Sequence, residues 1–306
     1  MKRNVIAKII LGVYFSLCSS MFAFESEFLS VKAEGKGPDL ILIHGFTCSP
    51  EVWSGLVDKV GPDYRLHSVQ IMGFAGSEAP TKQPESYLKT LRDEMARYIK
   101  EEKLDRPTMI GHSMGGLLSL LTASREKPEI GKVIVVDALP FYSLLFNPMA
   151  TREMVLPQAE AMKKQLLALD EQQFEQQAKA SIAVMTKQDN KKELLLKWSK
   201  SSDRKIYANY LKEVISYDAR LDLEGVSCPV TVIHAYDETV RVPQERMLQL
   251  YTTAYAKLKG VSIKTISSSF HFIMWDQPEI FISTVEEALK TMPETNEPNK
   301  AVDSTR

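Results

Sequence analysis

The run Met109-Ile110-Gly111-His112-Ser113-Met114-Gly115-Gly116 constrains the fold of this chain more than any other stretch. Apolar Met109 and Ile110 end a strand, and Leu117, Leu118, Leu120 and Leu121 make a helical run directly behind it. The context is therefore strand, sharp turn, helix, with a serine at the turn. Glycines two residues to either side let the backbone turn tightly, so that the hydroxyl projects and the following amide faces a reacting carbonyl. Ser113 is a candidate nucleophile.

The rest of the chain fits around that unit. Short apolar runs at Leu40 to Ile43, Tyr64 to Val69, Thr108 to Ile110, Val133 to Val136 and Val230 to Ile233 alternate with helical periodicity. Leu88, Leu91, Met95, Tyr98 and Ile99 share one helical face, as do Met247, Leu250, Tyr251, Ala254 and Leu258. That alternation predicts an α/β protein with a mainly parallel sheet covered by helices. The alternating run Phe28 to Ala33 predicts an antiparallel edge strand. A chain of 306 residues with 44% hydrophobic side chains can bury one large core.

Strand signals vanish between Ala138 and Leu223, where leucine, methionine and glutamine recur with helical spacing. Apolar clusters at Phe141 to Phe146, Met162 to Leu169, Leu194 to Trp198 and Ile206 to Ile215 predict a packed helical cap over 138–223. It interrupts a core made of 24–137 and 224–292. Pro293, Pro298 and polar neighbours predict a disordered tail at 293–306. At the other end, Lys2, Arg3 and Lys8 precede the apolar run Ile9 to Leu17, the proportions of a signal peptide over 1–23. A bilayer span needs about 20 apolar residues, so no stable membrane span is expected after cleavage. The bulky Leu17 before Cys18 argues against a lipoprotein. Export to the periplasm or medium follows as the expectation.

An oxidising destination would invite a disulfide between Cys48 and Cys228. Geometry argues against it. Cys48 follows one expected parallel strand and Cys228 precedes another, so they lie at opposite sheet ends, ~17 to 20 Å apart, whereas bridged Cα atoms lie within ~7 Å. Lysine plus arginine number 38 against 39 acids, a balance that suggests no dedicated polyanion-binding surface, so no nucleic-acid partner is expected. There is no His-Glu-x-x-His, paired-cysteine motif or phosphate-binding glycine loop, so no metal and no cofactor is expected.

Four separated motifs, in order, make the chain resemble the α/β-hydrolase family across residues 28 to 290. His44-Gly45-Phe46 resembles the family's oxyanion loop, Gly73-Phe74-Ala75-Gly76-Ser77 its glycine-rich turn, and Gly111 to Gly115 its nucleophile turn. The fourth is Ser269-Phe270-His271-Phe272-Ile273-Met274-Trp275-Asp276-Gln277-Pro278. The resemblance implies that the backbone N–H groups of Phe46 and Met114 hold the developing oxyanion. It also implies a general base in the loop between the last strand and last helix, which is His271. The other histidines fit structural places: His44 in the oxyanion turn, His67 inside a strand, His234 closing a strand, and His112 turned aside by the elbow.

For the acid that orients the base, Asp237 resembles the family's acid loop after the strand ending at Ile233. Adjacent Glu238 is chemically competent but should point away. Asp137, directly after Val133 to Val136, is the alternative, because a few family members place the acid there. The expected activity is a serine hydrolase of carboxylesterase type, with Ser113, Asp237 and His271 as its catalytic residues, acting on a small-molecule acyl substrate with hydrophobic parts. Thioesterase, lactonase or amidase chemistry would use the same residues. So would a small-molecule sensor that retains the triad. A serine in place of an aspartate nucleophile argues against dehalogenase and epoxide-hydrolase chemistry.

Overall fold

The computed structural model describes residues 24–290, and the expected leader and polar tail lie outside the described residues. Eight strands form one sheet: β1 (Phe24–Glu25), β2 (Leu29–Gly35), β3 (Asp39–Ile43), β4 (Arg65–Ile71), β5 (Thr108–His112), β6 (Lys132–Val136), β7 (Val230–Tyr236) and β8 (Ser262–Ser267). Their spatial order is β1-β2-β4-β3-β5-β6-β7-β8. From β4 to β8 every pairing is parallel. β2 is antiparallel, as its alternation predicts, but it is not the edge, because the short β1 pairs outside it.

Successive residues of the central strands feed opposite faces of the sheet. Ile41, Ile43, Met109, Val133 and Val135 join one apolar cluster with the helices α2 (Tyr87–Glu101), α3 (Met114–Ala123) and α8 (Gln244–Ala254). Leu40, Leu42, Ile110, Ile134 and Val136 join the other, against α1 (Ser54–Val60), α9 (Ile273–Asp276) and α10 (Pro278–Lys290). Burial on both faces is why these strands read as continuous apolar runs.

Four helices lie between β6 and β7: α4 (Arg152–Ala168), α5 (Glu171–Ile182), α6 (Asp189–Ser201) and α7 (Arg204–Ser216). Leu166, Phe174 and Ala208 give them a small core of their own. Their attachment to the sheet layer is polar as well as apolar. The buried Glu213 carboxylate on α7 accepts from the amides of Tyr87 and Leu88 at 2.8 and 2.9 Å and from the Ser86 hydroxyl at 2.9 Å. It thus satisfies the otherwise unpaired N-terminal amides of α2, where the helix dipole favours a negative charge. Cys48 and Cys228 are both free thiols.

Parallel strands place their C-terminal ends on one edge of the sheet, where loops converge. Phe46, Ser113, Asp137, Asp237 and His271 all follow the ends of parallel strands, so they gather along that edge.

Candidate active site

Ser113 sits between β5 and α3 with φ 53° and ψ −119°, a conformation costly for any residue with a side chain. The surroundings hold it there. Its amide donates to the Val136 carbonyl at 2.8 Å, which extends the ladder one residue past β5. The flanking glycines are a matter of contact distance: a Cβ on Gly111 would lie 2.1 Å from the Gly115 carbonyl oxygen, and one on Gly115 would lie 2.3 Å from that of Ile43. The turn is too tight for any other residue at either position, and it leaves Ser113 partly exposed at its apex.

Asp137 occupies the corresponding place after β6, also at positive φ (45°), and its amide donates to the Ile233 carbonyl at 2.7 Å. Its carboxylate meets the base: Nδ1–H of His271 donates to Oδ2 at 2.6 Å. The Ala235 amide donates to Oδ1 at 2.8 Å, and the Tyr251 hydroxyl to the same atom at 3.3 Å. Burial alone would raise this carboxyl, but the His271 hydrogen bond and charge, with the Ala235 amide, outweigh it and hold the group below the ordinary carboxylate range. Asp137 is therefore an anion, placed to fix the tautomer of His271.

Asp237 is not the carboxylate that meets His271, which corrects the expectation. It accepts from the Thr239 hydroxyl at 2.5 Å and the Thr239 amide at 3.0 Å, capping the short turn Glu238–Val240, and it pairs with Lys187 Nζ at 2.5 Å. Hydrogen bonds from Lys187 and Thr239 lower its pKa to about 2. Lys187 comes from the segment between α5 and α6, so the charge of Asp237 is neutralised by the cap. The reason for the failed expectation is one of direction. Both aspartates follow strand ends on the same edge, but only the sharp, positive-φ turn at Asp137 points its carboxylate along the edge toward His271.

The remaining histidines have other partners. His44 donates from Nδ1 to the Gly45 carbonyl at 2.7 Å and accepts at Nε2 from the Ile71 amide at 3.1 Å, while burial lowers its pKa to about 4. His67 lies between Asp39 and the Tyr98 hydroxyl. His234 accepts from Thr265 at 2.8 Å and stacks on Tyr251. His112, fully buried, donates from Nε2 to the His271 carbonyl at 3.0 Å, with its ring 4.5 Å from that of His271. Burial first, and then the neighbouring His271 charge, lower its pKa to about 3, so it stays neutral.

Ser113 and His271 line a common cavity of about 60 Å³ with Met114, and Leu117, Leu139, Leu145 and Val214 supply much of its apolar wall. Tyr142 and Leu145 reach from this wall to the surface, where Phe146 and Met149 stand 72% and 79% exposed. Among the described residues, the amides of Phe46 and Met114 donate to no protein acceptor. Also among the described residues, no cluster of three or more His, Cys, Asp or Glu side chains could hold a metal ion. Sequence reasoning named Tyr251 only as a core residue of α8. Its spacing gives no sign that the hydroxyl reaches Asp137.

An eight-stranded, mainly parallel sheet with a strained serine elbow and a histidine–aspartate pair at one edge defines a class, and residues 38–278 match the α/β hydrolase fold family: the chain belongs to it. Among curated relatives, it is 28% identical over 127 residues to the pimeloyl-acyl-carrier-protein methyl ester esterase of Vibrio atlanticus, covering 42% of this chain and 46% of that protein. To the enzyme of the same name from Aeromonas hydrophila it is 32% identical over 114 residues, 37% of this chain and 43% of that one. The chain thus spans about half the length of the curated relatives it matches. Solved structures with the same fold include an esterase from Exiguobacterium antarcticum (TM-score 0.71, 17% identity, 86% of this chain and 96% of that one). An enol-lactonase from Burkholderia xenovorans matches with TM-score 0.68 and 19% identity over 86% of this chain and 96% of that one.

Proposed function

We propose that the chain is a serine esterase in which Ser113 is the nucleophile, His271 the general base and Asp137 the acid that orients it. The observation that carries this reading is the 2.6 Å bond from His271 Nδ1 to Asp137, made beside a cavity that His271 shares with a strained, partly exposed serine. With Nδ1–H committed to Asp137, Nε2 carries the lone pair and can take the Ser113 proton. The serine oxygen then attacks the ester carbonyl, and the tetrahedral oxyanion is met by the Phe46 and Met114 amides. His271 returns the proton to the leaving alcohol, and a water activated in the same way releases the acid from the acyl-enzyme.

The names of the curated relatives support an ester as the substrate class, and the apolar wall supports an acyl group with hydrophobic parts. The test is Ser113→Ala. Turnover of a short-chain p-nitrophenyl ester should fall on the order of 10⁴-fold or more, and labelling by a serine-directed phosphonate should vanish. Unchanged hydrolysis would sink the assignment, and stoichiometric labelling of the wild type without turnover would favour the sensor reading. Export is part of the proposal, supported by the basic and apolar segments of residues 1–23. Mass spectrometry of the mature protein should find roughly the first 20 to 23 residues removed; an intact Met1 in the exported protein would refute cleavage.

A further inference from the structure

The loop between β8 and α10 carries His271 with only the single turn α9 as regular structure. Yet three backbone groups on either side of the base, in the 269–270 and 271–272 peptides, are each held by a hydrogen bond. The Phe270 amide donates to Asp276 Oδ2 at 2.9 Å, the His271 carbonyl accepts from His112 at 3.0 Å, and the Phe272 amide donates to the Met185 carbonyl at 3.0 Å. Met185 belongs to the turn between α5 and α6, which is cap and not core.

Asp276 connects the same two regions through its side chain. While Oδ2 holds the base loop, Oδ1 accepts from the buried Thr186 hydroxyl at 2.6 Å and from the Lys187 amide at 3.0 Å. The Gln188 side-chain amide adds a bond to the Trp275 carbonyl, and Lys187 Nζ reaches across to Asp237. A carboxylate is the group that suits this position, because both oxygens face N–H or O–H donors. An amide would have to turn its NH₂ toward one of them.

We infer that Asp276 is a positioning residue for His271, tying the cap turn Met185 to Gln188 to the base loop so that the His271–Asp137 bond depends on the seating of the cap. Asp276 touches no reacting atom, and its chemical consequence rests on the esterase reading above. Displacement of a base by about 1 Å can cost on the order of 10²-fold in rate, so a tether of this kind has a kinetic signature distinct from lost binding.

The experiment compares Asp276→Asn and Thr186→Val in the full chain. The first readout is the NMR resonance of the His271 Nδ1 proton in the resting protein, assigned by its absence in His271→Gln; the second is kcat and KM on p-nitrophenyl acetate. In Asp276→Asn the resonance should broaden or vanish, and kcat should fall about 10- to 100-fold with KM within about threefold. Thr186→Val removes one of the three donors and should shift both readouts in the same direction by a smaller factor. A folded Asp276→Asn protein with the wild-type resonance and kcat overturns the inference. If Asp276→Asn does not fold, Thr186→Val decides, and an unchanged resonance there overturns it. Loss of the resonance in Asp276→Asn while the wild type hydrolyses no ester supports the tether and removes the esterase reading instead.

Discussion

Asp137 and Asp237 follow neighbouring strands of one sheet, β6 and β7, and both hold ionised carboxylates with depressed pKa values. They differ in what the charge faces. Asp137 meets a histidine at 2.6 Å beside the cavity, and Asp237 meets Lys187, from the segment between α5 and α6, at 2.5 Å. A lysine neutralises a carboxylate permanently, so the Asp237 pair can hold elements together but can take no part in a proton cycle. A histidine can pass a proton from nucleophile to leaving group, and the aspartate behind it stabilises the imidazolium formed on the way. The same residue in nearly equivalent places thus faces an imidazole in one case and an ammonium in the other, and under the proposed mechanism only the first can serve a proton cycle.

The largest effect that would break this comparison is at Asp137. Asp137→Asn should lower kcat by a factor on the order of 10³ to 10⁴, the size found when the orienting acid of a serine triad is neutralised. Asp237→Asn should cost less than about tenfold on the same substrate. Ester hydrolysis by the two purified variants decides, and a reversed order would return the acid's role to Asp237. A smaller effect should follow from Tyr251→Phe, which removes one donor from Asp137 Oδ1 and leaves the Ala235 amide in place. About a 3- to 10-fold loss of kcat is expected, on the scale of one hydrogen bond, with KM little changed. Wild-type kinetics in that variant would show that Asp137 is held without the tyrosine.

The smallest effect concerns stability. Asp237 has a folded pKa of about 2 against an ordinary 3.8, so its contribution is fully present above the ordinary value and is lost as pH falls toward about 2. Asp237→Asn should therefore lower the melting temperature at neutral pH by a few degrees at most and converge with the wild type near pH 2. His44 and His112 act earlier on the way down. Their folded pKa values of about 4 and about 3 lie below the ordinary 6.5, so stability drawn from keeping them neutral is complete above 6.5 and erodes below it. Each contributes at most about 1.4 kcal/mol per pH unit between its ordinary and its folded pKa. Thermal unfolding between pH 7 and pH 2 separates the two ranges, and a Asp237→Asn curve parallel to the wild type below pH 4 would refute the assignment to Asp237.

How far the sequence could be read follows the distance over which each feature is decided. The elbow was legible because everything that makes it lies between Met109 and Leu121: apolar strand, spaced glycines, leucine-rich helix. The five core strands were legible for the same reason, and His271 could be singled out as the candidate base because the other four histidines had structural places. β1 was missed because two residues carry no periodicity. The choice between Asp137 and Asp237 could not be read, since it turns on Lys187, fifty positions away from Asp237 in a different layer, and on a backbone turn at Asp137 that no glycine announces. Asp276 stood within a motif, but its second set of partners, Thr186 and Lys187, is remote in sequence.

The contact distances at Gly111 and Gly115 bear on how such a protein can change over generations. A methyl group at either position would overlap a backbone oxygen, so the elbow is closed to drift. Leu139, Leu145 and Val214 are side chains on loop and cap, and another apolar residue there can alter the cavity without touching the backbone that holds Ser113. Variation is therefore channelled: the backbone that holds Ser113 stays fixed while the apolar wall beside it is free to be redrawn, so under the esterase proposal a descendant could acquire a new substrate without relearning the reaction.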